Sequence, residues 1–258
     1  MRQRVRPCDV RYGLHVDGRG GDTRGEGAGG GRIGTTPLSN PALAALSGPQ
    51  AHLAERRGSA MRYPSSMSPI AALPTDPSPP DWANARDLVG PGGSLFLPVV
   101  EVDAPSGWTT TMSLPGVQMV DDGLDAMPDD EAVILTSDDV PEMLDLVRRT
   151  RPGPFAQRTV ELGTYLGIRR DGRLVAMGGE RMRPPGWTEI SAVCTDPAYR
   201  GHGLAARIVR ALGHGIRARG DTPFLHADGT NVNAIRLYES LGFVLAAQVM
   251  FTVLLAPE

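Results

Sequence analysis

The chain has 258 residues, 41% of them apolar, with 26 basic against 29 acidic side chains and a net charge of −3. This is ample chain for a sizeable core. It excludes the strongly basic surface of a nucleic-acid binder, and no apolar run approaches the roughly 18 residues needed to span a bilayer. The two cysteines, Cys8 and Cys194, form neither a disulfide framework nor a CxxC metal pair, so no metal is expected.

All 26 basic residues are Arg. Together with abundant Ala, Gly and Pro, this reads as the codon bias of a GC-rich bacterial genome. The Arg-rich N-terminus lacks the apolar segment of a signal peptide, so the expected compartment is the cytoplasm. Residues 1–35 hold ten of the 32 glycines, all between Gly13 and Gly34. That composition buries too little apolar surface to offset chain entropy, and disorder is expected. A literal GxGxxG at Gly25–Gly30 has no strand before it and no helix after it, and glycine abundance explains it.

Order is expected from Pro37. Asn40-Pro41 opens a helix over 41–46 with an Asn cap and Pro at the first helical position, and Gly48-Pro49 ends it. A second short helix is expected over 50–57, followed by a Pro/Ser-rich connection over 64–80. A helix over 81–89, capped by Asp81, stops at Gly90. Residues 94–102 and 108–114 read as strands, with 117–120 as an extension. Trp82 and Trp108 are expected in the core. The acidic stretch 121–130 is the expected linker, dividing the chain into a tail (1–35), an N-terminal non-catalytic unit (36–130) and a catalytic domain (131–258).

Beyond the linker the pattern is dense. A strand over 132–136 leads into a helix over 137–148 whose apolar stripe is Val140, Met143, Leu144 and Val147. Strands over 164–169 and 173–181 flank Asp171-Gly172, a type I′ hairpin signal. Further expected elements are a strand over 187–195, a helix over 203–219, a strand over 223–228, a helix over 231–241, and one or two strands over 243–255. The order is β-α-β-β-β-α-β-α-β, an α/β (α+β) fold with a mixed sheet and helices on both faces.

The stretch Ile190–Arg210, ISAVCTDPAYRGHGLAARIVR, runs from an apolar strand through a Gly-rich turn into a helix. Such a turn directs backbone N–H groups and the positive end of a helix dipole at one spot, which suits phosphate. Arg200-Gly201-His202-Gly203-Leu204-Ala205 fits Q/R-x-x-G-x-G/A. Asn231-Val-Asn-Ala234-Ile-Arg-Leu237-Tyr238-Glu-Ser-Leu241-Gly242-Phe243 fits N-x-x-A-x-x-L-Y-x-x-L-G-F. Together, some 30 residues apart with a strand between, these motifs resemble the GCN5-related N-acetyltransferase (GNAT) superfamily, in particular its FR47-like branch, over about 132–256.

That resemblance implies a mixed, mostly antiparallel sheet flanked by helices, and acetyl-CoA as co-substrate. The N–H groups of about Gly201 to Ala205, His202 and Leu204 among them, would surround the pyrophosphate. Gly201 and Gly203 allow close approach, and Arg200 and Arg207 are candidates for added charge. The strand carrying Val193, Cys194 and Thr195 would pair with the pantetheine arm. Cys194 is expected to be a buried thiol rather than a nucleophile. Asn231 matches a cofactor-contacting or helix-capping position.

The implied reaction moves an acetyl group to a primary amine by direct attack. Tyr238 sits at the family's acid position. Glu189, four residues before Val193 and on its face by strand alternation, is the base candidate, with His226 as competitor. The implied acceptor is a small-molecule or peptide amine, with no nucleic acid and no membrane; a homodimer is allowed. Acceptor specificity is expected in residues 37–130 and in Pro184–Trp187. Two other functions compete: an acyl-CoA-binding sensor without catalysis, and a dinucleotide-binding protein that reads Gly201–Ala206 as GxGxxG/A and ends the next strand at Asp228. Against the latter, five residues separate the strand from its first glycine.

Overall fold

A computed structural model describes residues 36–99 and 102–258. The expectation of disorder over 1–35, with its GxGxxG, lies outside them. The Asn40 carboxamide accepts from Leu43 N at 3.2 Å and donates to Leu73 O at 2.9 Å, which opens α1 (Pro41–Ser47) and ties it to the next strands. Residues 50–57 are not a helix. One 3₁₀ turn, Ala51–Leu53, leads into β1 (Glu55–Arg57), which pairs with β2 (Ala60–Arg62) and through it with β3 (Ala71–Ala72). In α2 (Pro79–Val89), Ser78 is the cap, and Asp81 accepts from the Ser78 N–H at 2.8 Å as the third-position partner of a capping box.

The remaining elements are β4 (Ser94–Val99), β5 (Thr109–Asp121), β6 (Val133–Leu135), α3 (Val140–Thr150), β7 (Tyr165–Arg170), β8 (Arg173–Glu180), β9 (Trp187–Thr195), α4 (Leu204–Ala218), β10 (Thr222–Asp228), α5 (Val232–Ser240) and β11 (Phe243–Leu255). The β7–β8 turn has positive φ at both Asp171 (50°) and Gly172 (77°), the backbone that the Asp-Gly pair signalled.

One eight-stranded sheet runs β4-β11-β5-β10-β9-β8-β7-β6. All neighbours are antiparallel except β9 and β10. A doubly wound nucleotide fold needs a parallel sheet, so the dinucleotide reading fails on topology. Residues 36–130 are not a separate unit either: β5 lies between β10 and β11, and residues 121–130 connect parts of one body.

On one face of the sheet α4 buries Ile208, Leu212 and Ile216 against Ile190 and Leu225. On the other, α3 brings Met143 and Leu146 against Met177 and Cys194, and α1 with the β1–β3 segment buries Leu46, Tyr63 and Ile70 around Phe224. Trp82, in the core as expected, packs in a further cluster against Trp108, which is half-buried; their centroids lie 5.3 Å apart with the rings tilted by 59°.

Gln50 fastens the N-terminal segment to the β8–β9 connection. Its buried amide accepts from Tyr63 Oη at 2.7 Å and Arg183 N at 2.9 Å, and donates to Arg181 O at 2.9 Å. Gln50→Leu strands those three groups and is expected to lower stability by about 3 kcal/mol. Urea titration checks this, and a loss below about 1 kcal/mol would show that the three groups re-pair on their own.

Candidate functional site

The parallel pairing of β9 with β10 covers Trp187–Ile190 against Thr222–Leu225 and then stops. Just beyond it Ala192 has φ 55°, and two β9 residues (192 and 193) oppose a single β8 residue between the Ser191–Gly179 and Cys194–Met177 pairs. This bulge turns the end of β9 away from β10, which continues alongside β5 to Asp228. The opening between the two strand ends holds two adjoining cavities of about 450 and 410 Å³.

The 450 Å³ cavity lies under the Gly-rich turn. Asp196 follows β9; its carboxylate accepts from Ala198 N at 2.9 Å and pairs with Arg149, which fixes the 3₁₀ turn Pro197–Tyr199. Gly201 (φ 81°) and Gly203 (φ 72°) then adopt left-handed backbone that favours glycine. Gly203 occupies the cap position of α4, so no side chain satisfies the first N–H groups of that helix. Those of α1 and α5 are met by Asn40 and Asn231. The open N-terminus of the 15-residue α4 therefore faces the cavity with unpaired donors and the positive end of its dipole.

Ten of the residues singled out from sequence line this cavity: Val193, Cys194, Thr195, Arg200, Gly201, Gly203, Leu204, Ala205, Asn231 and Tyr238. His202 does not; its Nδ1 lies 3.0 Å from Arg200 O, within the loop's own backbone. Arg207 is turned away and engaged by Asp129 (2.6 Å) and Glu131 (2.5 Å). Burial pushes the Cys194 thiol up to about 11, which keeps it protonated and unreactive. The Asn231 carboxamide caps α5 by accepting from Ala234 N at 3.1 Å while lining both cavities. Tyr238 also stands between them, its ring packed edge-on against Phe243 and its phenol pushed up to about 12 by burial.

Glu189 does not share a face with Val193, because the Ala192 bulge breaks the alternation. Val193 packs with Ile190 toward α4, while Glu189 is fully buried on the opposite side. Its carboxylate accepts from Arg181 Nη2 at 2.6 Å, Arg181 Nε at 2.8 Å and His226 Nδ1 at 2.8 Å. His226 Nε2 in turn lies 3.2 Å from the Gln118 amide nitrogen, which also donates to Leu38 O at 3.1 Å. Burial opposes the charge on Glu189, but the Arg181 guanidinium outweighs it and holds the carboxyl down to about 2. A carboxylate so engaged is a poor acceptor for a substrate proton.

The same overall fold recurs in a solved structure. A protein of Novosphingobium aromaticivorans assigned to the GNAT family of acetyltransferases superposes with a TM-score of 0.79, at 40% identity over 87% of this chain and all of the other. The chain belongs to the GNAT family. Within it, the profile of FR47-like proteins matches residues 165–252.

Two curated relatives match over shorter stretches. The mycothiol acetyltransferase of Thermomonospora curvata is 40% identical over 85 residues, and the N-alpha-acetyltransferase RimI of Mycobacterium tuberculosis is 38% identical over 99. The matches span 28% and 61% of the lengths of those relatives.

Two features of this GNAT site carried no sequence signal of function. Arg151 and Pro152, after α3, line both cavities and lie in a stretch for which the sequence carried no reading. Gln118 lies mid-strand on β5, far in sequence from its histidine partner. Conversely, the Pro184–Trp187 segment does not reach either cavity, since Trp187 packs on Phe224 with centroids 6.5 Å apart.

Because the folded-state pKa of Glu189 lies below its ordinary 4.5, the group contributes stability that is present above about pH 4.5 and lost as pH falls toward 2. The interval corresponds to about 3 kcal/mol. Glu189→Gln is expected to remove that part of the acid sensitivity and to cost about 3–5 kcal/mol at neutral pH, by leaving Arg181 buried without a counter-ion. Urea titrations of both proteins from pH 6 to about pH 3 check this. Parallel curves would mean that other carboxylates control acid unfolding.

Proposed function

We propose that the chain transfers an acetyl group from acetyl-CoA to a primary amine. The observation that carries this is the uncapped N-terminus of α4, which follows two left-handed glycines and opens into a cavity continuous with the split between β9 and β10. Coenzyme A needs several donors for its pyrophosphate and a long, narrow channel for its pantetheine arm. The N–H groups from Gly201 to Ala205 supply the donors, and Arg200 at the rim adds charge. Beyond Ile190 the edge of β9 has no strand partner on the β10 side, so the backbone of Val193–Thr195 is free to pair with the amides of the arm. The arm then points its thioester past Tyr238 toward the second cavity.

In the reaction, the nitrogen lone pair attacks the thioester carbonyl carbon. The N–C bond forms, the C–S bond breaks, the sulfur leaves as a thiolate, and the proton shed by the nitrogen passes to water. The Tyr238 phenol, at about 12, stays protonated through the neutral range. A thiol has a reference pKa of about 8.5, so complete transfer from this phenol runs uphill. What Tyr238 supplies is a hydrogen bond to the charge developing on sulfur. Glu189 acts at one remove, fixing His226 and Arg181 beside the second cavity. A bacterial cytoplasm, where thiols stay reduced, suits the free Cys194 and the thiol product.

Calorimetric titration with acetyl-CoA, CoA and NAD is expected to show binding of the first two and none of NAD. Gly203→Glu places a carboxylate and a disfavoured φ at the phosphate site, and is expected to abolish binding. NAD binding without either CoA species would sink the proposal. Tyr238→Phe is expected to keep acetyl-CoA affinity and to lower kcat by roughly tenfold to a hundredfold. With a simple amine acceptor, kcat/KM is expected to rise with pH as the neutral amine becomes populated, without a descending limb from Tyr238 at mildly alkaline pH. Acetyl-CoA binding with no turnover of any amine would instead identify a binding module without catalysis.

A further inference from the structure

The 410 Å³ cavity on the far side of Tyr238 has two chemically distinct halves. The half near the thioester path is backbone and small polar groups, from Ser191 to Val193 and Asn231. The half away from it is walled by Ile70, Phe96, Pro98, Met112, Leu114 and Phe251, brought together from the β2–β3 connection and from β4, β5 and β11. Leu114, one of these residues, is 44% exposed.

The charge around this chamber is sparse. Arg181 spends its guanidinium on Glu189, and the Glu189 carboxylate is fully buried behind it. Among the described residues, Asp228 is the one carboxylate lining the chamber, and no cation is paired with it. Its Oδ1 accepts from Thr230 N at 2.8 Å and Thr230 Oγ1 at 2.7 Å. Arg151 lines the chamber as a further positive charge.

We infer that the acceptor, given the acetyl transfer proposed above on which this rests, is a monoamine whose nitrogen is carried next to an apolar group of about the size of a leucine or phenylalanine side chain. The apolar half takes that group, and Asp228 is placed to attract the single ammonium as it enters. A polyamine, an aminoglycoside or a lysine-rich tail brings several ammonium groups. Beyond the first they would lie against Phe96, Met112 and Phe251, or near Arg151, and lose hydration with no carboxylate to replace it. The volume fits a small ligand rather than a folded partner.

The test measures CoA release by the full chain with acetyl-CoA and a panel of amines: 2-phenylethylamine, leucinamide, glycinamide and spermidine. Acetyl-CoA binding is followed separately by calorimetry. The apolar amines are expected to exceed glycinamide and spermidine in kcat/KM by roughly 10- to 100-fold, the ratio that burying one such side chain provides. Leu114→Glu, at an exposed position and away from the donor cavity, is expected to keep acetyl-CoA affinity, lower kcat/KM for 2-phenylethylamine and raise it for spermidine. Spermidine or glycinamide matching the apolar amines in the wild type would overturn the inference while leaving acetyl transfer intact. So would donor binding with no apolar amine acetylated. Failure to bind acetyl-CoA would remove both.

Discussion

The architecture depends on one local event in the sheet: the parallel pairing of β9 and β10 ends at Ile190 and Leu225, and the bulge at Ala192 then swings β9 aside. A strand left without a neighbour in the middle of a sheet exposes backbone donors and acceptors that want partners. In a closed sheet those groups would be consumed. Here they line a channel between two cavities, with the turn that holds Gly201 and Gly203 at one end and the apolar chamber at the other. A bulge is a small change in one strand. It nevertheless separates a site from an ordinary sheet, because it removes hydrogen-bond partners and redirects side chains in the same step.

Opening a sheet at its centre has a structural consequence that the buried network answers. The strand ends flanking the split cannot brace each other, so they are held from the side. Glu189 on β9, His226 on β10, Gln118 on β5 and Arg181 after β8 form a chain of charge-assisted and neutral hydrogen bonds that joins four neighbouring elements at the base of the opening. Taking two full charges out of water is costly, and an apolar pair could fill the same volume at less expense. What an apolar pair cannot do is fix distance and direction between strands that have stopped pairing. The network reaches the N-terminal segment through Leu38 O, while Gln50 fastens the same segment to Arg181 O and Arg183 N. Residues 36–99 thus help hold the cleft as well as wall it.

How much of this was legible beforehand follows from which interactions are local. The Gly-rich turn, the α5 cap at Asn231, the Asp171-Gly172 hairpin and the amphipathic α3 rest on contacts within a few residues, and short patterns announced all of them. Ten of the singled-out residues gather in one cavity for the same reason: two local motifs fix both of its walls. The failures were non-local. Nothing in Ser191-Ala192-Val193 marks a left-handed residue, since the usual glycine is missing, so alternation put Glu189 on the wrong face. The insertion of β5 between β10 and β11 could not be read from an acidic, Gly- and Pro-bearing stretch that looks like a linker. Residues 50–57 have no strong period of either kind, and their strand exists because β2 pairs with it.

The site also divides its work between two kinds of chemistry. In the proposed reaction, donor recognition rests on backbone groups: the first N–H groups of α4, the glycine turn and the edge of β9. Backbone donors are present whatever the side chains are, provided that Gly201 and Gly203 allow the turn, so a short pattern suffices to specify that half. On the proposed acceptor side, the wall is made of side chains from four segments far apart in sequence; Ile70 and Phe96 are also core residues, whereas Met112 and Leu114 are more exposed and can change with less effect on the sheet. Substitution at Met112 or Leu114 alters the shape and polarity of the chamber, while the cavity under the Gly-rich turn is built on different elements. Under the proposed function, a fold arranged in this way holds one cofactor chemistry fixed and leaves acceptor choice to residues that no short motif contains.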